Sequence, residues 1–311
     1  MKTRLLAIAA LVAAGCTPDK PANGPPPPPT VTPTPVAATV TLKGRTIAVE
    51  YLRADPDRRY PAVRKDRLED GHGRLCGWAH DRLLHFFSYQ TGANYDAAFL
   101  AADGRIVELA KLVDEKQGDL EYIVGVTSTK EARWALFLPD GWLEKNGAAA
   151  GDRVEFSKQI HDAPPAPTAE LTIGGAAVRA ECNPHDWERQ RGLMHRRAMS
   201  ADDGMLFIYP YERERRFWMG KCHFGLDIAY FDAKRNLLNV VSIDPYPDPY
   251  VDPGVDAPGA RAPSAGPALF ALEVQKGWFR RKGLVDASGK PVRALTLEMP
   301  PSVLKLVDEA E

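Results

Sequence analysis

The sequence predicts a mainly β protein: two tandem compact domains of β-sandwich or barrel type with short helices, behind a disordered Pro-rich tether. Three observations predict it. Short runs of alternating apolar and polar residues recur between glycine and Asx turn signals, the pattern of half-buried strands. The mature part repeats itself, with residues 39–109 lying on residues 170–240 at a constant offset of 131. Ahead of the first repeat, Pro18, Pro21, Pro25 to Pro29, Pro33 and Pro35 exclude helix and central strand.

The order begins with an address. Lys2 and Arg4 precede an apolar run from Leu5 to Ala14, about ten residues against the roughly twenty that a membrane-spanning helix needs. Residues 1–15 therefore read as a secretory signal peptide. Ala13-Ala14-Gly15-Cys16 resembles the bacterial lipobox, which implies a diacylglycerol thioether and palmitate on Cys16 after cleavage. Thr17 follows where an Asp would signal retention in the inner membrane, so the expected destination is the periplasmic side of the outer membrane. Residues 16–38 then form a lipid-anchored, extended spacer of about 3.1 Å per residue.

Composition bounds the rest. With 44% hydrophobic and 26% charged residues the mature chain is globular, and its length suits two domains, 39–157 and 170–298, joined by a linker at 158–169 and followed by a tail at 299–311. A net charge of -1 gives no electrostatic case for nucleic acid as a partner. Besides Cys16 there are three cysteines, Cys76, Cys182 and Cys222, so one disulfide at most is available. Cys182 and Cys222 are the candidate pair, because their counterparts in the first copy, Tyr51 and Thr91, lack both thiols together.

Each copy is expected to open with a hairpin (Thr39 to Leu42 with Arg45 to Leu52; Glu170 to Ile173 with Val178 to Cys182). A short polar helical stretch follows, then strands near Gly73 to Trp78 and Leu84 to Ser88, or Gly204 to Tyr209 and Arg216 to Met219. Asp96 to Leu100 with Arg105 to Ala110, and Asp227 to Phe231 with Asn236 to Ser242, read as a second hairpin. A last strand, Arg133 to Leu138 or Leu269 to Val274, runs into a one-turn helix at Gly141 or Gly277. The repeat resumes there at offset 136, so the second copy carries a five-residue insertion. It falls in the loop 244–267, where Asp244, Asp248, Asp252 and Asp256 recur among prolines that forbid a helix, and where Tyr246 and Tyr250 could dock a partner.

The second copy resembles the domain-of-unknown-function family 192. The motifs that carry the resemblance are Gly192-Leu193-Met194, Gly204-Met205-Leu206-Phe207, Phe217-Trp218-Met219 and Leu226-Asp227-Ile228-Ala229, closed by Gly277-Trp278 and Gly283. The first copy is similar to it mainly through Tyr95-Asp96-Ala97-Ala98-Phe99 and Asp103 to Glu108; Pro61-Ala62-Val63 and Phe86-Phe87-Ser88 stand where the motifs have drifted. The resemblance implies a compact β-rich domain, often exported, and brings no activity with it. Where the family normally carries Asn-Thr, this chain has Lys221-Cys222.

Four of the six methionines fall between Met194 and Met219, beside His195, Cys222 and His223. Met194, His195, Met219, Cys222 and His223 could together hold Cu(I), since thioether, thiolate and imidazole are its ligands. The alternative is that the methionines fill a β core. A catalytic Cys222 would need a base and a cleft, and the departure at Lys221-Cys222 argues against a shared cysteine mechanism. The preferred site is a groove of Met194, Met205, Trp218, Met219 and Asp227, although the retention of Asp96 and Asp227 by both copies favours a structural task for that aspartate. No Ser-His-Asp order, phosphate loop or nucleotide fingerprint appears in its required context. The expectation is an exported lipoprotein that binds a protein or small ligand without catalysis and without a cofactor. A copper or redox-linked protein is the alternative.

Overall fold

The computed structural model describes residues 36–53, 68–87, 93–113, 125–163, 165, 168–248 and 261–310. The expected signal peptide, Cys16, the proline-rich stretch up to residue 35, and Tyr250, Asp252 and Asp256 lie outside the described residues.

The first copy builds β1 (Val36–Leu42), β2 (Arg45–Leu52), β3 (His72–Arg82), β4 (His85–Phe87), β5 (Tyr95–Leu100), β6 (Ile106–Leu112), β7 (Gly125–Thr127), β8 (Ala132–Pro139) and β9 (Glu155–Phe156). β4 and β7 form a ribbon of their own, and the other seven make one sheet in the order β6-β5-β8-β3-β2-β1-β9. The second copy repeats this with β10 (Ala169–Ile173), β11 (Ala176–Asn183), β12 (Asp203–Arg213), β13 (Arg216–Trp218), β14 (Leu226–Phe231), β15 (Leu237–Ile243), β16 (Arg261–Pro263), β17 (Ala268–Gln275) and β18 (Leu297–Glu298). β13 pairs with β16, and the sheet runs β15-β14-β17-β12-β11-β10-β18. Each sheet curls into a half-barrel, so the predicted tandem β architecture forms as two curled sheets.

Local chemistry sets the turns. β1 and β2 are joined at Lys43-Gly44, and β10 and β11 at Gly174-Gly175, with positive φ at both central residues of each turn, as a tight antiparallel hairpin of this kind demands. β2 and β3 pair in parallel, as do β11 and β12, and parallel neighbours require a crossover. In the second copy that crossover is residues 184–202, with α3 (Asp186–Arg191) in it.

Both faces of each sheet are covered. In the second copy one face packs Val178, Leu206, Ala229 and Leu272 under the helix α4 (Trp278–Arg281), whose Trp278 and Phe279 are fully buried. Met299 and Val303 join this core, so the expected tail at 299–311 is part of the domain. Likewise α2 (Lys158–Asp162) buries Ile160 in the first copy, which makes the start of the expected linker a piece of that copy.

Asp96 and Asp227 hold the one-turn helices. Asp96 Oδ2 accepts the N–H of Leu143, in α1 (Trp142–Lys145), at 2.9 Å. Asp227 Oδ2 accepts the Phe279 N–H at 3.3 Å, and its Oδ1 accepts the Ser242 hydroxyl at 2.6 Å. Gly141 and Gly277, both left-handed, turn the chain from strand into helix. Asp96→Ala and Asp227→Ala should each cost about 1–3 kcal/mol, because a buried N–H loses its acceptor. Asn at either position should cost less, since its carbonyl still accepts. Urea unfolding of the four variants measures this.

Candidate functional site

Alternation along the strands decides which side chains share the second face of the second sheet. Val178, Ala180 and Cys182 face the helix-covered core, which turns Arg179, Glu181 and Asn183 of β11 the other way. Met205 and Phe207 of β12 and Ala271 of β17 lie on that same opposite face, together with Asp203 and Glu273 by their spacing. Strand register arranges these into rows: Arg179 beside Asp203, and Glu181 beside Met205 beside Glu273. Met205 is therefore flanked by two carboxyl groups. The crossover covers the rows with Leu193 and Met199, and the turn after β13 adds Met219 and Cys222.

Arg196, from the crossover, grips Glu181 with both terminal guanidinium nitrogens, at 2.9 and 2.6 Å. Planar fork-to-carboxylate pairing of this kind is the strong form of an ion pair. Glu273 has no such clasp. It is 4% exposed, and among the described residues its Oε2 has no hydrogen-bond partner. Burial pushes its carboxyl up to about 8, with Arg196 pulling the other way. Burial also drives the Cys222 thiol far above its usual range, and the neighbouring Glu273 adds to the effect. At neutral pH the pocket thus holds a carboxylic acid and a thiol, both protonated.

The cover is strained where it meets this pocket. His195 and Lys221 have φ of 63° and 60°, and the His195 N–H donates to the Lys221 carbonyl at 2.6 Å. Left-handed backbone at non-glycine residues costs free energy and concentrates at sites where the surroundings over-determine the chain.

The first copy closes the site. Arg82, at the end of β3, reaches Glu181 Oε1 at 2.6 Å and Asp203 Oδ2 at 3.0 Å. Arg179 and His80 approach the other oxygen of Asp203 at 3.0 and 3.4 Å. Burial opposes the charge on Asp203, but the His80 hydrogen bond and the Arg82 and Arg179 guanidinium groups outweigh it and hold the carboxyl below its usual range. His85 of β4 is held well below its usual value, first by burial and then by Arg196 and His195. The Leu83 N–H donates to Ser200 Oγ at 3.1 Å, and that hydroxyl donates to Glu131 at 2.7 Å. The crevice left between Trp78, Leu84, His85, Glu181 and Arg196 has about 10 Å³ of room, the lower limit for a single water.

The expected sites are redistributed. Met205 and Met219 do lie together, buried with Met199 and Cys222 in one apolar cluster, and Met194 is half-buried in the crossover. Asp227 is on the opposite face of the sheet, bonded to Phe279, so it lines no groove with the methionines. Trp218 points outward, 38% exposed, with the Arg261 guanidinium 5.4 Å from its ring centre. It lies so close over Gly220 that a Cβ there would come within 2.3 Å of the indole. Of the five-residue copper set, Met219 and Cys222 share one buried cluster, and His195 is tied through its backbone to Lys221 beside them; among the described residues no group of three or more His, Cys, Asp and Glu is placed to hold a metal ion. Cys76, Cys182 and Cys222 carry thiols; the expected Cys182–Cys222 disulfide does not form, because the two belong to cores on opposite faces of one sheet. Tyr246, expected to be exposed, is buried, and its hydroxyl accepts from Arg261 at 3.1 Å.

Glu273, Arg196 and Arg82 were not singled out from the sequence. Glu273 carried a readable signal: it is the one charge in an apolar strand, Ala268–Gln275, and the first copy has Phe137 in its place. Glu181 was visible as an identity with Glu50.

The geometry defines a duplicated β half-barrel in which one copy keeps a buried polar row and the other covers it. The chain belongs to the DUF192 family, described as "Uncharacterized ACR", whose model matches twice, at residues 38–156 and 169–292. Among solved structures it is similar to a Sinorhizobium meliloti 1021 protein described as a "putative transcription regulator", 23% identical over 42% of this chain and 93% of that one, with a TM-score of 0.34. A protein of unknown function from Novosphingobium aromaticivorans DSM 12444 is 25% identical over 42% of this chain and 83% of that one, with a TM-score of 0.32. No curated protein matches the chain.

Proposed function

We propose that this protein is an exported lipoprotein, anchored through Cys16 on the periplasmic side of the outer membrane, and that its paired half-barrels form a non-enzymatic binding or accessory module for a protein or small ligand. One observation carries the non-enzymatic part: the chemically loaded residues Glu181, Arg196, Cys222 and Glu273 are all buried, and the crevice that Glu181 and Arg196 line beneath the first copy has room for about one water. Catalysis needs a cleft that admits the reacting atoms. A buried thiol held far above its usual range is neither a nucleophile nor a ready ligand for copper. The anchoring part rests on the basic, apolar and lipobox-like order of residues 2 to 16 and on the proline spacer after it.

The full chain expressed with labelled palmitate tests the anchor. Label should enter the protein and be lost in Cys16→Ser, with the signal peptide retained when lipoprotein signal peptidase is blocked. Unlabelled wild-type protein would overturn this reading. Cross-linking of the anchored protein then identifies what it holds.

A further inference from the structure

The side chain filling the acidic end of the second copy's polar face does not come from that copy. Arg82 crosses from the first copy and is 2% exposed, between Glu181 and the fully buried Asp203. Glu181 and Asp203 each also meet a guanidinium of their own copy, Arg196 and Arg179. Arg82 is therefore an added occupant. Beyond Met205, in the same row, Glu273 presents an oxygen with no hydrogen-bond partner among the described residues. That face therefore holds a buried polar atom left unpartnered among the described residues.

The first copy shows what happens when such a face is retired. Its Glu50 is met by Arg74 of the neighbouring strand at 3.2 Å, and His72 and Phe137 stand in place of Asp203 and Glu273. Acceptors for an outside cation have gone, and the donor is built in. In the second copy the acceptors remain and the donor comes from outside.

We propose that this face of the second copy is a binding site for a guanidinium group, held closed by Arg82 as a tethered occupant. A planar cation with several N–H donors matches the two carboxylates that Arg82 bridges, whereas a single ammonium offers no fork. The ligand is an arginine side chain or a small guanidinium compound that competes with Arg82, and the first copy serves as the cap. This deepens the binding-module reading. Its test uses purified protein and reads the site whether or not the chain is membrane-anchored.

The full chain is compared as wild type, Arg82→Ala and Arg82→Lys, with arginine amide at about 20 mM as probe and sodium chloride at equal ionic strength as control. Two readouts are followed, the thermal midpoint and the rate at which iodoacetamide modifies Cys222, located by peptide mapping. In Arg82→Ala the midpoint should fall and Cys222 should label about tenfold faster or more as the cap loosens. Arginine amide should reverse both changes in that variant, sodium chloride neither, and wild type should respond little. Arg82→Lys should be intermediate in both readouts. A short arginine peptide that works at lower concentration than the amide identifies a protein partner, and equal potency identifies a small guanidinium ligand. Should Arg82→Ala refold poorly, Arg82→Lys carries the test, its midpoint rising with arginine amide and not with sodium chloride. An Arg82→Ala protein that ignores the probe, or responds equally to salt, overturns the proposal.

Discussion

Glu273→Gln is expected to make the protein more stable than wild type in mild alkali, by about 3–5 kcal/mol. The wild-type carboxyl, moved from an ordinary 4.5 to about 8 by burial, carries a penalty of about 5 kcal/mol once it ionises in place, and relaxation of the pocket trims this. Below about pH 4.5 the acid is protonated in the folded and unfolded chain alike, and no penalty applies. Between there and about pH 8 the folded chain keeps a proton that the unfolded chain releases, so wild-type stability falls as pH rises. Above about pH 8 the loss is complete. Gln is nearly isosteric with the protonated acid and does not titrate, so the difference between the two proteins should be small near pH 4.5 and grow to its full size by about pH 9. Denaturant unfolding across that range measures it. A difference that stays flat with pH would show that Glu273 is solvated.

That a carboxyl so placed escaped the sequence reading has a physical reason. Strand alternation made the hairpins, the glycine turns and the faces of single strands legible, and the repeat carried these from one copy to the other. Asp96 and Asp227 could be assigned a structural task because both copies keep them, and each is indeed bonded to a helix backbone. What covers a face is another matter. Arg82 meets Glu181 across 99 residues of sequence, through the packing of one copy on the other, and no local pattern encodes that. The groove expectation joined Trp218 and Asp227 to the methionines by proximity in sequence. Alternation turns Trp218 out to solvent and Asp227 to the far core instead. Alternation also turns Cys182 toward the helix-covered core, away from the opposite core that buries Cys222. Glu273 is legible in principle, since a single charge amid Phe270, Leu272 and Val274 implies either a buried partner or a raised carboxyl.

Arg196→Ala should destabilise the protein by about 3–5 kcal/mol at neutral pH, the cost of leaving a buried carboxylate under-compensated. Glu181 is 6% exposed and would lose its forked guanidinium partner, while Arg82 is shared with Asp203. The variant should also titrate differently. Arg196 is the charge that lowers the Glu273 carboxyl, so its removal should move the pH-dependent loss of stability to still higher pH. That shift separates the prediction from a simple cavity effect, which would cost stability equally at all pH values. Removing both partners, as Glu181→Leu with Arg196→Met, should cost less than the two single changes together, because neither charge is then orphaned. The single-variant loss therefore measures the price of an unpaired buried charge and overstates the worth of the pair. If the double variant unfolds as readily as the sum predicts, the pair contributes to stability in its own right, and the row is a scaffold. If the double variant recovers, the charges are kept at little gain in stability, as expected of groups that serve binding.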